Sequence, residues 1–374
     1  MNVYALATNI TSSLGITTAA NWQAVANGNI GVRQYEDASL SNTAFFASRI
    51  EPAVWQSIHQ QTHSTQVLSP FEQLAIFSAK KAISECREEI DLSETVFILS
   101  TTKGNIEWLG QVPDERILLS TSADIIAKEL GISNKAIVIS HACVSGVVAV
   151  THAARLLQSG KYKNAIVTGC DRFSRFVLNG FQSFQAIADE PCRPFDAARK
   201  GINLGEAAGT IILSVNAEMP LAEIHAGSTS NDANHISGPS RTGEELALAI
   251  TRALEGSGVA ASQINMVSAH GTATLYNDEM EAKAFAVANV VHAPVHSFKS
   301  YIGHTLGAAG VVESALLIEA IQRQQLIPSS GYSENGVSEP LNVTTQMQPA
   351  ELNYVLKTAS GFGGCNATLV IGKV

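Results

Sequence analysis

The sequence predicts an α/β protein whose strands are buried on both faces. Short apolar runs rich in β-branched residues alternate with longer amphipathic or Ala-rich runs along the chain. Hydrophobic residues make up 45% of the 374 and charged residues only 15%, which excludes a disordered chain. No low-complexity segment or long linker interrupts the pattern.

In the first half, strands are expected at Tyr4–Thr8, Val96–Ser100, Ala136–Ser140, Ala165–Thr168 and Thr210–Ser214. In the second, they are expected at Met266–Ala269, Val295–Phe298, Tyr354–Ala359 and Thr368–Gly372. Helical spacing covers 70–87, 121–130, 143–158, 243–256, 278–288 and 305–323. Gly160 marks the far end of the third of these. A strand stops and a polar turn follows at Asn216–Pro220, which divides the chain into 1–215 and 216–374. No repeat relates the two parts by sequence.

The formal net charge of −9 argues against a general nucleic-acid binder. The first residues lack the basic region of a secretory leader, and no apolar run is long enough to span a bilayer. A soluble protein of the cytoplasm is expected. The low charge also suggests a subunit interface. The cysteines are Cys86, Cys143, Cys170, Cys192 and Cys365, an odd number without any C-x-x-C pair. That spacing favours neither a disulfide framework nor a zinc site. His292 and His296 are four apart, but Pro294 between them breaks the helix that would align them as metal ligands. No metal is expected.

Cys143 falls at a strand-to-helix junction, in Ser140-His-Ala-Cys-Val-Ser-Gly146. Unpaired N–H groups at a helix start favour the thiolate, so Cys143 is a candidate nucleophile. By itself it is more readily read as a buried structural thiol. His270 ends an apolar strand in Ile264-Asn-Met-Val-Ser-Ala-His-Gly-Thr-Ala-Thr274, where catalytic groups gather in α/β folds. The bland alternative there is a hydrogen-bonded turn histidine. His304 lies in Lys299-Ser-Tyr-Ile-Gly-His304, where Lys299 would bias the imidazole to its neutral form. The glycines around His304 and in Gly361-Phe-Gly-Gly364 do not follow G-x-G-x-x-G, and no Walker lysine follows.

Together these segments resemble the elongating β-ketoacyl-ACP synthases of the thiolase superfamily. The likeness runs in order over nearly the whole chain. Ala-Cys143-Val-Ser-Gly is similar to the family's nucleophile segment. Cys192-Arg-Pro-Phe-Asp-Ala-Ala-Arg-Lys-Gly-Ile-Asn-Leu-Gly-Glu-Ala-Ala-Gly209 is similar to its Arg-Pro-Phe-Asp signature. His270-Gly-Thr-Ala-Thr with Asp278 and Glu281, Lys299-Ser-x-x-Gly-His304 and Gly361-Phe-Gly-Gly364 complete the set.

The resemblance implies a five-layer αβαβα sandwich of two similar halves, the first carrying the nucleophile and the second both histidines. It implies an acyltransferase that forms carbon–carbon bonds by decarboxylative condensation. Cys143 would carry the acyl group, while His270 and His304 stabilise the enolate from malonyl thioester. Cys143 and Phe362 would supply oxyanion N–H groups, with Phe362 also a gate. Thr272 and Thr274 would contact the pantetheine arm, and Lys299, Glu281 and Asp278 would support the histidines. No resident cofactor is implied; substrates would arrive on the phosphopantetheine of an acyl carrier protein. The partner would be a second copy or a related chain length factor.

Three departures point to a specialised branch, such as polyketide or aryl-polyene synthesis. Ser360 stands where many relatives carry a second Phe. The stretch between Gly104 and Ala136 is short. Residues 50–79 contain no Lys or Arg, so carrier docking would fall to Lys80, Lys81, Arg172 or Arg175, or to a partner subunit, although a solvated face is the favoured reading of those four charges. Alternatives are a non-condensing chain-length-factor-like subunit, and a Cys-dependent acyltransferase or hydrolase.

Overall fold

The computed structural model of the protein describes residues 1–233 and 238–374. Among the described residues, one sheet has ten strands. They are β1 (Tyr4–Thr11), β2 (Thr95–Ser100), β3 (Ile137–Ile139), β4 (Asn164–Asp171), β5 (Ala207–Ser214), β6 (Ala222–Asn231), β7 (Met266–Ser268), β8 (Val295–His296), β9 (Tyr354–Gly361) and β10 (Cys365–Gly372). Their spatial order is β8-β7-β9-β10-β6-β1-β5-β4-β2-β3. Only Tyr4 and Ala5 pair with β6, so the sheet is pinched between β6 and β1.

On either side of that pinch lies the same five-stranded unit. With each unit's strands counted in chain order, both run third, second, fourth, fifth, first. In both, the second strand is parallel to the third and fourth, and the fifth is antiparallel to the fourth and first. The two halves share one topology.

Helices fill three layers around these units. α1 (Pro70–Glu85) and α2 (Leu119–Glu129) cover the outer face of the first unit. α3 (Ser145–Gln158) follows β3, and α4 (Arg175–Ser183) lies between β4 and β5. α5 (Glu244–Ser257) and α6 (Leu275–Val287) cover the outer face of the second unit. The one-turn α7 (Lys299–Ile302) leads to α8 (Ala309–Arg323), which occupies the place in the second half that α3 has in the first. The result is a five-layer αβαβα sandwich.

The middle layer holds the largest apolar cluster, in which Val147 and Val150 of α3 meet Val311 and Leu316 of α8 between Ile98, Ile211, Val355 and Ile371. The two helices touch backbone to backbone. A Cβ on Gly146 would lie 2.6 Å from the Val311 nitrogen and 2.7 Å from Gly310 Cα, so a side chain there has no room. On the outside, α1 begins with a reciprocal cap: Ser69 Oγ accepts from Glu72 N, and Glu72 accepts from Ser69 N. Pro70 occupies the first helical turn, where its missing N–H costs nothing.

The expected strands and helices are present, with shifts at the ends. The helix expected from residue 143 begins at Ser145, which leaves Cys143 on the preceding turn. The helix expected from 305 begins at Ala309, after a short 3₁₀ turn at Leu306–Ala308. Val295–Phe298 is a strand only at Val295–His296, because Phe298 caps α7. Strand β6 and the helices at Thr18–Ala26, Pro52–Gln61 and α4 were not expected. No described helix is long and apolar enough to cross a membrane.

Candidate active site

Cys143 sits where the chain turns from β3 into α3. Ala142 holds φ +45°, a left-handed value uncommon outside glycine, which turns Cys143 away from the strand direction. Ser145 clamps the turn: its Oγ accepts from His141 N at 2.7 Å and donates to the Ala142 carbonyl at 2.6 Å. The Gly361–Gly364 loop lies directly against it. A Cβ on Gly361 would come within 3.0 Å of Cys143 N, so glycine permits the approach. The Phe362 backbone N–H donates to the Cys143 sulfur.

His270 follows the end of β7, and its turn is held from α6. Glu281 accepts the backbone N–H groups of His270 and Gly271, each at 2.7 Å, and further donors from Asn277 Nδ2 and Thr358 Oγ1. Burial pushes the Glu281 carboxyl up against the pull of these donors. His304 follows α7, after Gly303 at φ +65°. Its N–H donates to the Asn203 carbonyl at 2.7 Å, and its carbonyl accepts from Gly205 N at 3.0 Å. The segment from Cys192 to Gly209 thus grips the His304 turn. Asp278 braces the same segment by accepting from Phe195 N at 2.7 Å, beside Arg199. Burial pushes the Asp278 carboxyl up to about 7.

These three turns converge. One side-chain atom each of Cys143, His270 and His304 lies within 4.8 Å of the others, and all three residues are buried. The imidazoles stand edge to face, centroids 5.2 Å apart at 86°. Burial, then Lys299 and Lys357, drive both imidazoles well below the usual histidine range; His304 adds to this for His270. Both rings are therefore neutral at physiological pH. Burial also pushes the Cys143 thiol up to about 11, although Lys299 and the Phe362 N–H pull the other way. This corrects the expectation of a preformed thiolate: the desolvated sulfur keeps its proton, and a neutral imidazole beside it is the base that can take it.

The trio lines a cavity of about 490 Å³, whose wall also includes Thr272, Thr274, Ser360 and Phe362. Thr272 and Thr274 hydroxyls bond each other at 2.8 Å. Phe362 stacks on Phe181 at 5.6 Å and meets Phe184 edge-on at 5.3 Å, leaving part of its ring exposed. Ser360 Oγ donates to Asn366 Oδ1 at 2.7 Å. A Cys–His–His set could bind a soft or borderline metal ion on donor chemistry alone. The acyl-sized cavity beyond it suits a thioester better.

The family described as "Beta-ketoacyl synthase, N-terminal domain" matches residues 6–218, and its C-terminal domain matches residues 221–333. The chain belongs to the β-ketoacyl synthase family. Among its relatives, a 3-oxoacyl-[acyl-carrier-protein] synthase 2 of Vibrio cholerae is 28% identical over 97% of both chains. The enzyme of that name from Coxiella burnetii is 27% identical over 98% of this chain and 97% of its own. Among solved structures, the ishigamide ketosynthase/chain length factor superposes with a TM-score of 0.90 at 26% identity, covering 100% of this chain and 99% of the other. A ketosynthase in complex with its chain length factor from Xenorhabdus doucetiae gives 0.84 at 25% identity, covering 100% and 98%.

Within this β-ketoacyl synthase fold, Lys299 and Glu281, both expected to support the histidines, have separate partners. Glu281 holds the His270 turn, while the Lys299 ammonium pairs with Glu313 of α8 at 2.8 Å, both buried. Glu313 and Lys357 escaped the sequence reading. The available signal was a lone charge inside an apolar run, Val311-Val-Glu-Ser-Ala-Leu and Tyr354-Val-Leu-Lys-Thr-Ala. Of the docking candidates, Arg172 is spent inside the fold, paired with Glu107 and lying 4.8 Å over Trp55. Arg175 is exposed. The segment Thr101-Thr-Lys103 serves to bind the buried Asp171 carboxylate through Thr101 Oγ1 and the Thr102 and Lys103 N–H groups.

Proposed function

We propose that this protein condenses acyl units carried on phosphopantetheine arms, extending a fatty-acid, polyketide or polyene chain by decarboxylative carbon–carbon bond formation. The observation that carries the reading is the meeting of one thiol and two neutral imidazoles within 4.8 Å in the wall of an acyl-sized cavity. The family membership and the names of the relatives support it.

In the first step, Cys143 sulfur attacks an acyl thioester of a carrier protein. A neighbouring imidazole takes the thiol proton and returns it to the departing pantetheine thiolate. The N–H groups of Cys143 and Phe362 hold the oxyanion, each such donor being worth about 3 kcal/mol of barrier. In the second step, malonyl carrier loses CO₂. His270 and His304 donate hydrogen bonds to the thioester oxygen as enolate charge builds. In the third, the enolate carbon attacks the acyl carbonyl on Cys143, the C–S bond breaks, and the released thiolate takes up a proton from solvent. The product is a β-ketoacyl carrier.

Thr272 and Thr274 would hold the pantetheine arm, and Phe362 would gate the acyl pocket from its seat on Phe181 and Phe184. Glu281 and Asp278 position the His270 turn and the Phe195 segment, and Lys299 biases the imidazoles. We assign residues 1–215 as the nucleophile half and 216–374 as the histidine half, a division supported by the break between the two family matches. The three part-buried residues of β3 end the sheet at an open edge, which suits a second copy or a related chain length factor.

Intact-mass analysis after incubation with acyl carrier, then malonyl carrier, tests this. A Cys143 acyl adduct that malonyl carrier removes as β-ketoacyl product is expected. An adduct discharged by water alone would replace the reading with a hydrolase. No adduct, with a homologous subunit still bound, would replace it with a non-condensing chain-length-factor role.

A further inference from the structure

Lys357 lies in β9, in register with Ser268 of β7, which in turn faces His296 of β8. Its side chain is fully buried. The ammonium donates to the carbonyls of Thr358 at 2.7 Å and of Ser268 and Ala269 at 3.2 Å each. It also lies 2.6 Å from the Glu313 oxygen that Lys299 leaves free. One carboxylate thus ties together two ammoniums from different parts of the fold. Lys299 precedes His304 by one short turn, and Lys357 holds the carbonyl of the residue just before His270. Thr358, next along β9, donates to Glu281, the acceptor of the His270 N–H.

We propose that Lys357 is a second positioning residue for the histidine pair: it anchors the His270 turn and adds a buried positive charge that keeps both imidazoles unprotonated. The role rests on the condensing reading above, in which a neutral imidazole must accept the Cys143 proton. Among the described residues, the charged or titratable groups packed around the two rings include Cys143 from the nucleophile turn, Lys299 from α7, Lys357 from β9, Glu281 from α6 and Glu313 from α8, with Asp232 and Arg199 on the wall of the same cavity. Glu281 is engaged by four donors, and Glu313 is shared between two ammoniums. The formal charges of the two ammoniums and two carboxylates balance, and it is the field of Lys299 and Lys357 that acts on the imidazoles. It opposes a proton on either ring, as the depressed imidazoles reflect. His296, beside Lys357, is held down to about 3 by burial and the same ammonium.

The test compares wild type with Lys357→Gln, which keeps N–H donors for the carbonyls but deletes the charge, and with Lys357→Met, which deletes both. Two readouts are used: ¹⁵N-histidine NMR titration, and the pH profile of malonyl-carrier decarboxylation. In Lys357→Gln the imidazole titrations should move to higher pH, so that the protonated fraction at a given acidic pH rises on the order of tenfold. Decarboxylation should stay within about threefold of wild type at pH 8, with its acid limb displaced to higher pH by the same interval as the imidazole titrations. Lys357→Met should lose activity at every pH. Unmoved titrations with a parallel pH profile would overturn the proposal. Should neither variant fold, the wild type still offers a refutation: imidazoles that titrate near 6.5 overturn the proposal. A wild-type protein that fails to condense sinks the function reading alone, since the titrations are read without turnover.

Discussion

Replacing Glu313 by Gln is the sharpest probe of how the site is held. The carboxylate stands 2.8 Å from Lys299 Nζ and 2.6 Å from Lys357 Nζ, and all three side chains are at most 2% exposed. A glutamine keeps the volume, but its single carbonyl can accept from one ammonium while its NH₂ faces the other. Removing one partner of a buried ion pair costs about 3–5 kcal/mol, because the remaining charge has no water to solvate it. Unfolding entropy of about 2.1 cal/mol/K per residue amounts to roughly 0.8 kcal/mol/K for this chain, so Tm should fall by about 4–6 °C. Lys357→Gln should cost less, because Lys299 and Glu313 remain a matched pair.

The pH dependence adds a sign. Burial alone would raise the Glu313 carboxyl, but the two ammoniums hold it below the usual glutamate range. Its stabilisation is therefore complete above the ordinary glutamate value and is lost as pH falls through the depressed one. The gap between wild type and Glu313→Gln should be full at pH 7 and close only in acid below pH 4.5. Differential scanning calorimetry at pH 7 and in acid measures this. A Glu313→Gln protein melting within 1 °C of wild type at pH 7 would refute the shared-carboxylate account.

With the Cys143 thiol pushed up to about 11, its alkylation by iodoacetamide should quicken about tenfold per pH step from 7 to 9; a rate already flat above pH 7 would contradict a protonated thiol. His304→Ala should slow malonyl-carrier decarboxylation by on the order of 10²–10³, yet leave a mass-detectable acyl adduct on Cys143. Gly146→Val places atoms where the Gly310 and Val311 backbone already stands and should yield insoluble or strongly destabilised protein, while Gly160→Ala, at an open turn, should stay soluble.

The reach of the sequence is clearest at the site. Cys143, His270 and His304 were legible because each ends a strand or opens a turn within a run of small residues, a local pattern that leaves a reactive side chain room. Lys299 was legible as a charge, but its partner was not. Glu281, the other charge expected to support the histidines, is taken up by the backbone of the His270 turn, and the partner of Lys299 lies on a helix from the middle layer.

Strand β6 shows the same division at the level of the fold. Its segment, Ala222-Glu-Ile-His-Ala-Gly-Ser-Thr-Ser-Asn231, buries only Ala222, Ile224 and Ser228, so no apolar run announces it. Without that strand the second half lacks its first member, and the shared topology is invisible in the chain. Periodicity and turn chemistry are local and survive in one dimension. Burial, which raised the Cys143 thiol and made one carboxylate serve two lysines, depends on which layers close over a residue, and only packing in three dimensions decides that.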